Sequence, residues 1–199
     1  IGLGILLIGL AGGVYLTTEN QILKTRAGVS YMPKNVNVYN LGASSAAIFW
    51  QTDEAIAGFV QIESSRQQKT TYRDDRDIDA PQPHKLHFVT LTNLTPNTTY
   101  SYQIYSGQII YPDTPATLTT LSPVETLNWN PVVGTIFNTN NRPVDEALII
   151  FELENAQKLA TITKTRGNFI IPLSNLRSSD LTKNFPGNNT PYRAKLIIS

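Results

Sequence analysis

Residues 94–104, LTPNTTYSYQI, decide how the rest of the chain is read. Leu94, Pro96 and Thr98 make a tight approach. Tyr100, Tyr102 and Ile104 then alternate with Ser101 and Gln103. A period of two places three large side chains on one face and two polar ones on the other, which is the pattern of a half-buried antiparallel strand. The run L-T-P-N-T-T-Y also fits a tyrosine corner, in which a tyrosine at the start of a strand returns its hydroxyl to the backbone a few residues upstream. With Tyr100 in that role, the strands on both sides fall into place around it.

Upstream, residues 33–41 alternate Val36 and Val38 with polar residues, and 42–45 read as a turn. Ala46, Ile48 and Trp50 face inward on the next strand, which Thr52, Asp53 and Glu54 close. Phe59, Val60 and Ile62 give a third strand. The charged run 64–79 is expected to be an exposed edge plus a solvated loop. Residues 86–91 form the following strand with Phe88 as its core member, and residues 109–111 and 116–121 follow the central stretch.

Ile48 and Trp50, in W-Q-T-D-E, together with L-T-P-N-T-T-Y resemble a fibronectin type III domain over residues 30–122. The pattern is most similar to repeats in bacterial surface proteins and to those preceding metallophosphoesterases of the purple acid type. No metallophosphoesterase motif follows, so the resemblance does not imply that activity. An R-G-D tripeptide is also absent.

Residues 129–199 read as a second sandwich, with strands expected at 132–137, 147–153, 159–165, 169–173 and 192–198. The frame carried by Gly134, Pro143, Gly167 and Phe169 resembles a carboxypeptidase-regulatory-like (transthyretin-like) domain, close to the B-type repeats of bacterial adhesins. That resemblance implies a stalk or spacer and not a catalyst. It also implies one more strand after Ser199, supplied by a continuation of the chain or by a neighbouring subunit.

The N-terminal run IGLGILLIGLAGGVYL carries no charge. As a helix, its sixteen residues span roughly 24 Å, against about 30 Å of bilayer hydrocarbon. The run, which opens on Ile1 and not on methionine, fits an anchor lacking its first turns, a pilin-like helix exposed by processing, or a signal-peptide core. Gly9 and Gly13 form G-x-x-x-G, a spacing that lets helices approach closely. The expected self-association face is Ile5, Leu6, Ile8, Gly9, Leu10, Gly12 and Gly13, on a helix within residues 1–28.

The fold class expected is therefore mainly β: a hydrophobic helix followed by two tandem immunoglobulin-like β-sandwiches. Of 199 residues, 41% are apolar and only 16% charged, which excludes a disordered polyelectrolyte. A net charge of +1 leaves no footprint for nucleic acid. The chain has no cysteine, which removes disulfides, zinc thiolates and cysteine nucleophiles together.

His84 and His87 are expected on opposite faces of a strand and not on one ion. Asp74, Asp75, Asp77 and Asp79 lack the calcium-loop spacing and its glycine. Lys158 or Lys164 with Glu152 has no isopeptide motif around it, and Asn93, Asn97 and Asn188 are formal sequons. No nucleophile, phosphate-loop or metalloprotease motif occurs.

No enzyme activity, cofactor or metal is expected. The function expected is a structural protein of the cell surface that polymerises with copies of itself through its apolar helix, membrane-associated at least before assembly. The alternatives are a monomeric membrane-anchored stalk or adhesin, and the accessory domains of a larger secreted hydrolase.

Overall fold

The computed structural model describes residues 30–65, 67–186 and 192–199. The expected helix, with its face from Ile5 to Gly13, lies outside them. Among the described residues the chain is mainly β, and no helix there is long and apolar enough to cross a membrane.

Residues 34–119 form two antiparallel sheets. β1 (Lys34–Tyr39), β2 (Ala46–Ile56) and β5 (His84–Leu91) make one, in the order β1-β2-β5. β3 (Gly58–Ser64), β4 (Lys69–Arg73), β6 (Thr99–Ser106) and β7 (Ile109–Thr119) make the other, in the order β4-β3-β6-β7. Ala46, Ile48 and Trp50 from one sheet meet Val60, Tyr100, Tyr102 and Ile104 from the other in a single buried core. The Tyr100 hydroxyl accepts from the Thr95 backbone N–H at 2.9 Å, so the corner is made. β2 does not stop at Thr52: it runs on to Ile56 through a register shift against β5.

Residues 132–198 form β8 (Val132–Thr135), β9 (Leu148–Leu153), β10 (Leu159–Ile162), β11 (Asn168–Ile171) and β12 (Ala194–Ile198). Their sheets are β10-β9-β12 and β11-β8. Ile149, Phe151, Phe169, Ile171, Leu176 and Phe185 are the centre of their core. The strand expected over 159–165 ends at Ile162, and a 3-10 turn takes over at Thr165–Gly167. Gly167 closes that turn. It sits at φ +70°, and a Cβ there would stand 2.5 Å from the Ile136 carbonyl and 3.3 Å from Pro143 Cβ. Gly134 pairs with Phe169 across β8 and β11, and the phenyl ring lies over it where a Cβ would be 2.6 Å away.

The two units are joined face to face. The outward side of β2 and β5, carrying Ala47, Phe49 and Phe88, packs on Leu148, Ala160 and Ile162 of β9 and β10. Phe88 therefore does not belong to the first core, as its strand position alone suggested. It pairs with Phe49 across the sheet, and both point to the opposite face from Trp50 and His87. This cover also explains why residues 46–50 are buried without alternation. Burial of each Phe, Leu or Ile side chain here contributes about 1.5–3 kcal/mol.

Polar groups stitch the same seam. The Asn40 side chain donates to the Ala160 carbonyl and accepts from the Ala160 N–H, both at 2.8 Å. Gln157 donates to the Leu41 carbonyl at 2.8 Å, and the Arg177 guanidinium donates to the Ser122 carbonyl.

Candidate functional site: a buried polar cluster on the seam

The charged run after β4 was expected in solvent, yet Asp74 is only 3% and Asp77 only 9% exposed. The reason lies in β5, an edge strand of its sheet. Its outward backbone groups belong to Leu86, Phe88 and Thr90, and each of these N–H groups donates to a carboxylate. Phe88 N–H meets Asp74 at 2.9 Å, and Thr90 N–H meets Asp75 at 2.7 Å. Leu86 N–H meets Glu146, from the second unit, at 3.4 Å. Unpaired edge amides are a template for unwanted strand pairing. Here three acidic side chains occupy them.

Arg76 ties the carboxylates together. Its guanidinium donates to both Asp74 oxygens at 2.7 and 2.9 Å, to Glu146 at 3.1 Å and to the Leu86 carbonyl. Burial raises the Asp74 carboxyl, but the paired guanidinium and the Phe88 and Arg76 N–H donors outweigh it, so the group stays below the ordinary aspartate range. Burial likewise depresses Arg76, and Asp74 and Glu146 more than restore it. Asp75, held by the Thr90 N–H and hydroxyl, has no cation bonded to it among the described residues, and burial pushes its carboxyl up.

The histidines lie closer together than the strand period suggested. β2 carries extra residues between Gln51 and Ile56, opposite Leu86 and His84, and the two rings stand edge to face at 6.2 Å. His87 enters the first core and stacks flat on Trp50, with centroids 4.4 Å apart and planes 3° off parallel. Gly58 backs this stack: a Cβ there would lie 2.8 Å from the indole and 3.3 Å from the imidazole. Burial pushes His87 down to about 4, with Asp74 opposing. Both its ring nitrogens, Trp50 Nε1 and Ser106 Oγ lack a hydrogen-bond partner within the described protein. His84 stands at the mouth, 3.2 Å from Asp77 and 3.5 Å from Glu146.

Among the described residues no three His, Asp or Glu groups are placed to hold a metal ion. Beside the cluster, a cleft of about 290 Å³ opens between the units, walled by Asn40, Thr90, Leu159 and Ile171. Arg76 and Glu146 bond across the seam while Asp74, Asp75 and Glu146 close the edge of β5. The sequence shows Arg76 only as a charge that offsets the aspartates of an exposed run, and it gives no sign of Glu146. Glu146 is sixty or more positions from the groups it meets, and no local pattern marks it.

The other expected residues are structural. Ile48, Trp50, Tyr100 and Tyr102 share the first core, and Phe169 lies in the second. Gly134 lies under the Phe169 ring, and Pro143 packs by Gly167. Lys158 is exposed and paired with Glu152 at 2.6 Å.

Residues 33–126 match the family model described as the purple acid phosphatase N-terminal domain. No curated protein matches the chain. Among solved structures, a redesigned β-sandwich protein is similar at 29% identity, covering 45% of this chain and 94% of its own, with a TM-score of 0.34. A two-domain fibronectin type III segment of chicken tenascin is similar at 11% identity, covering 84% and 99%, with a TM-score of 0.31. The FN1–FN3 domains of chicken CNTN1 are similar at 8% identity, covering 69% and 54%, with a TM-score of 0.34.

Proposed function

We propose that this chain is a non-enzymatic structural subunit of the cell surface, polymerising through its apolar N-terminal segment and carrying its two sandwiches outside as one block. The observation that carries this reading is the seam. Side chains that would otherwise suggest chemistry are engaged instead: Asp74, Asp75, Arg76 and Glu146 close a sheet edge and bond the two units. A face-to-face joint suits a displayed block better than an extensible string of domains. The uncharged run of residues 1–16, with Gly9 and Gly13 at helix-packing spacing, supplies the means of assembly. The frame of Gly134, Pro143, Gly167 and Phe169 supports a carboxypeptidase-regulatory-like second unit, a spacer in that family.

Negative-stain microscopy of native material, with Gly9→Ile and Gly13→Ile beside it, tests the proposal. Filaments that disappear in the double variant support it. Equal assembly by both proteins, or a wild type that stays monomeric in membranes, replaces it with the anchored-stalk reading. The match of residues 33–126 to the purple acid phosphatase N-terminal domain favours a second reading, an accessory module of a hydrolase. Phosphoester turnover by the product of the complete reading frame would establish that alternative.

A further inference from the structure

The seam does not close everywhere: it leaves the cleft of about 290 Å³ between the units. Phe88 of the first unit and Leu159 and Ile171 of the second line it, and at 2%, 5% and 1% exposure they form its floor. Two residues of opposite charge line it as well, one from each unit. Asp75 follows β4, and Lys164 follows β10 at the exposed rim. Lys164 draws the Asp75 carboxyl down, but less than burial pushes it up, and the two are not bonded to each other.

Asp75 has acceptor capacity to spare. Each of its oxygens takes one bond from Thr90, from the N–H at 2.7 Å and from the hydroxyl at 2.6 Å. An ionised carboxylate offers about four lone-pair sites, so about half remain. Asp74, one residue earlier, spends its own on Arg76 and on the Phe88 N–H. A half-buried carboxylate without a bonded cation is costly to keep ionised, and an ammonium group brought beside it removes that cost.

We propose that the cleft binds one small zwitterion with an apolar side chain, a free aliphatic α-amino acid or a short peptide of such residues. Its ammonium group sits on Asp75, its carboxylate on Lys164, and its side chain on Phe88, Leu159 and Ile171. Other classes fit worse. A purely apolar molecule leaves both charges unpaired. An anion alone meets Asp75 at the same time as Lys164, and a cation alone meets Lys164 at the same time as Asp75. A nucleotide is too large: pockets for drug-sized ligands run about 300–1,000 Å³, and this cleft lies just below that range.

Walls from both units mean that the site exists only while they are docked. The ligand therefore stabilises the seam, and more so as its free concentration rises. The proposal does not depend on how the chain assembles.

The test is calorimetric titration of the full chain in detergent with leucine and with dileucine, each also N-acetylated and C-amidated, and with glycine. Leucine or dileucine is expected to bind at one per chain, and the tighter of the two identifies the source. Blocking either the amine or the carboxylate should weaken binding about tenfold or more, the worth of one hydrogen bond to a charged group. Glycine, which has no side chain, should bind no better than the blocked forms. Asp75→Asn should bring the free ligand down to the level of its N-acetylated form and leave that form unchanged. Lys164→Met should do the same with the C-amidated form.

Absence of binding by both leucine and dileucine overturns the proposal, including the case in which another part of the chain already fills the cleft. So does equal binding by the blocked forms, a comparison on the wild type alone that holds even where a variant misfolds. Unchanged affinity in folded Asp75→Asn or Lys164→Met places the binding elsewhere and overturns it as well.

Discussion

Replacing His87 by phenylalanine should flatten the acid side of the stability curve. In the folded chain the imidazole is stacked on Trp50, fully buried, and titrates at about 4, against 6.5 when free. A histidine with a depressed folded value is bound by protons more readily in the unfolded state. Stability is therefore complete above pH 6.5 and is lost as the pH falls towards 4. Linkage over that interval amounts to about 3 kcal/mol, of which about 2 kcal/mol is lost between pH 7 and pH 5.

The charged neighbours are Asp74, Arg76, His84, Asp77 and Glu146. Asp74, with its lowered value, adds to the loss only below the ordinary aspartate range. Asp75, pushed up by burial, works in the opposite direction. Both remain in the variant and so largely cancel from the comparison. The assay is urea unfolding at pH 7 and pH 5 for wild type, His87→Phe and His87→Gln. The wild type should lose about 2 kcal/mol more than either variant over this step. Parallel losses in all three would refute the reasoning, whatever the absolute stability of each protein.

Gly58→Ala should cost about 1–3 kcal/mol, because the new methyl meets the Trp50 ring at 2.8 Å and the Tyr105 carbonyl at 3.0 Å. Gly42→Ala, whose nearest contact is 3.5 Å, is the neutral control in the same thermal melt. Asn40→Ala should cost about 1–3 kcal/mol by removing both partners of the Ala160 backbone, and an unchanged urea midpoint would show that apolar contact alone holds the seam. Gly167→Ala should cost about 1–3 kcal/mol, since it adds a side chain at φ +70° against the Ile136 carbonyl, and calorimetry of the pair measures it.

The β character of the chain was legible because Tyr100, Tyr102 and Ile104 alternate with polar residues, and because that side of β6 meets one core. Residues 46–50 gave no such clue. Both faces of β2 are covered, so alternation disappears and the two sides cannot be told apart from the string. Phe88 was misplaced for the same reason: a large apolar residue on a strand reads as core until a second core behind the sheet is known.

The site was opaque for another reason. Asp74 and Asp75 look like any solvated acidic turn, and their partners are backbone amides 14 and 15 positions away. His84 and His87 were assigned to opposite faces of their strand, and that assignment gives no sign that their rings come within 6.2 Å of each other.

The joint between the units also sets a condition on how the chain is made. Synthesis runs from the N-terminus, and β1 to β7 are complete at Thr119. At that moment Ala47, Phe49 and Phe88 form an apolar wall with nothing against it. Leu148, Ala160 and Ile162, which close it, leave the ribosome later. At about 5–20 residues per second, the delay from residue 119 to residue 162 is on the order of seconds. Domains folding on a growing chain can otherwise finish one after another in isolation. Here the first must wait with one wet hydrophobic side, and slower translation between those positions lengthens the exposure of Phe49 and Phe88 to other nascent chains and to chaperones.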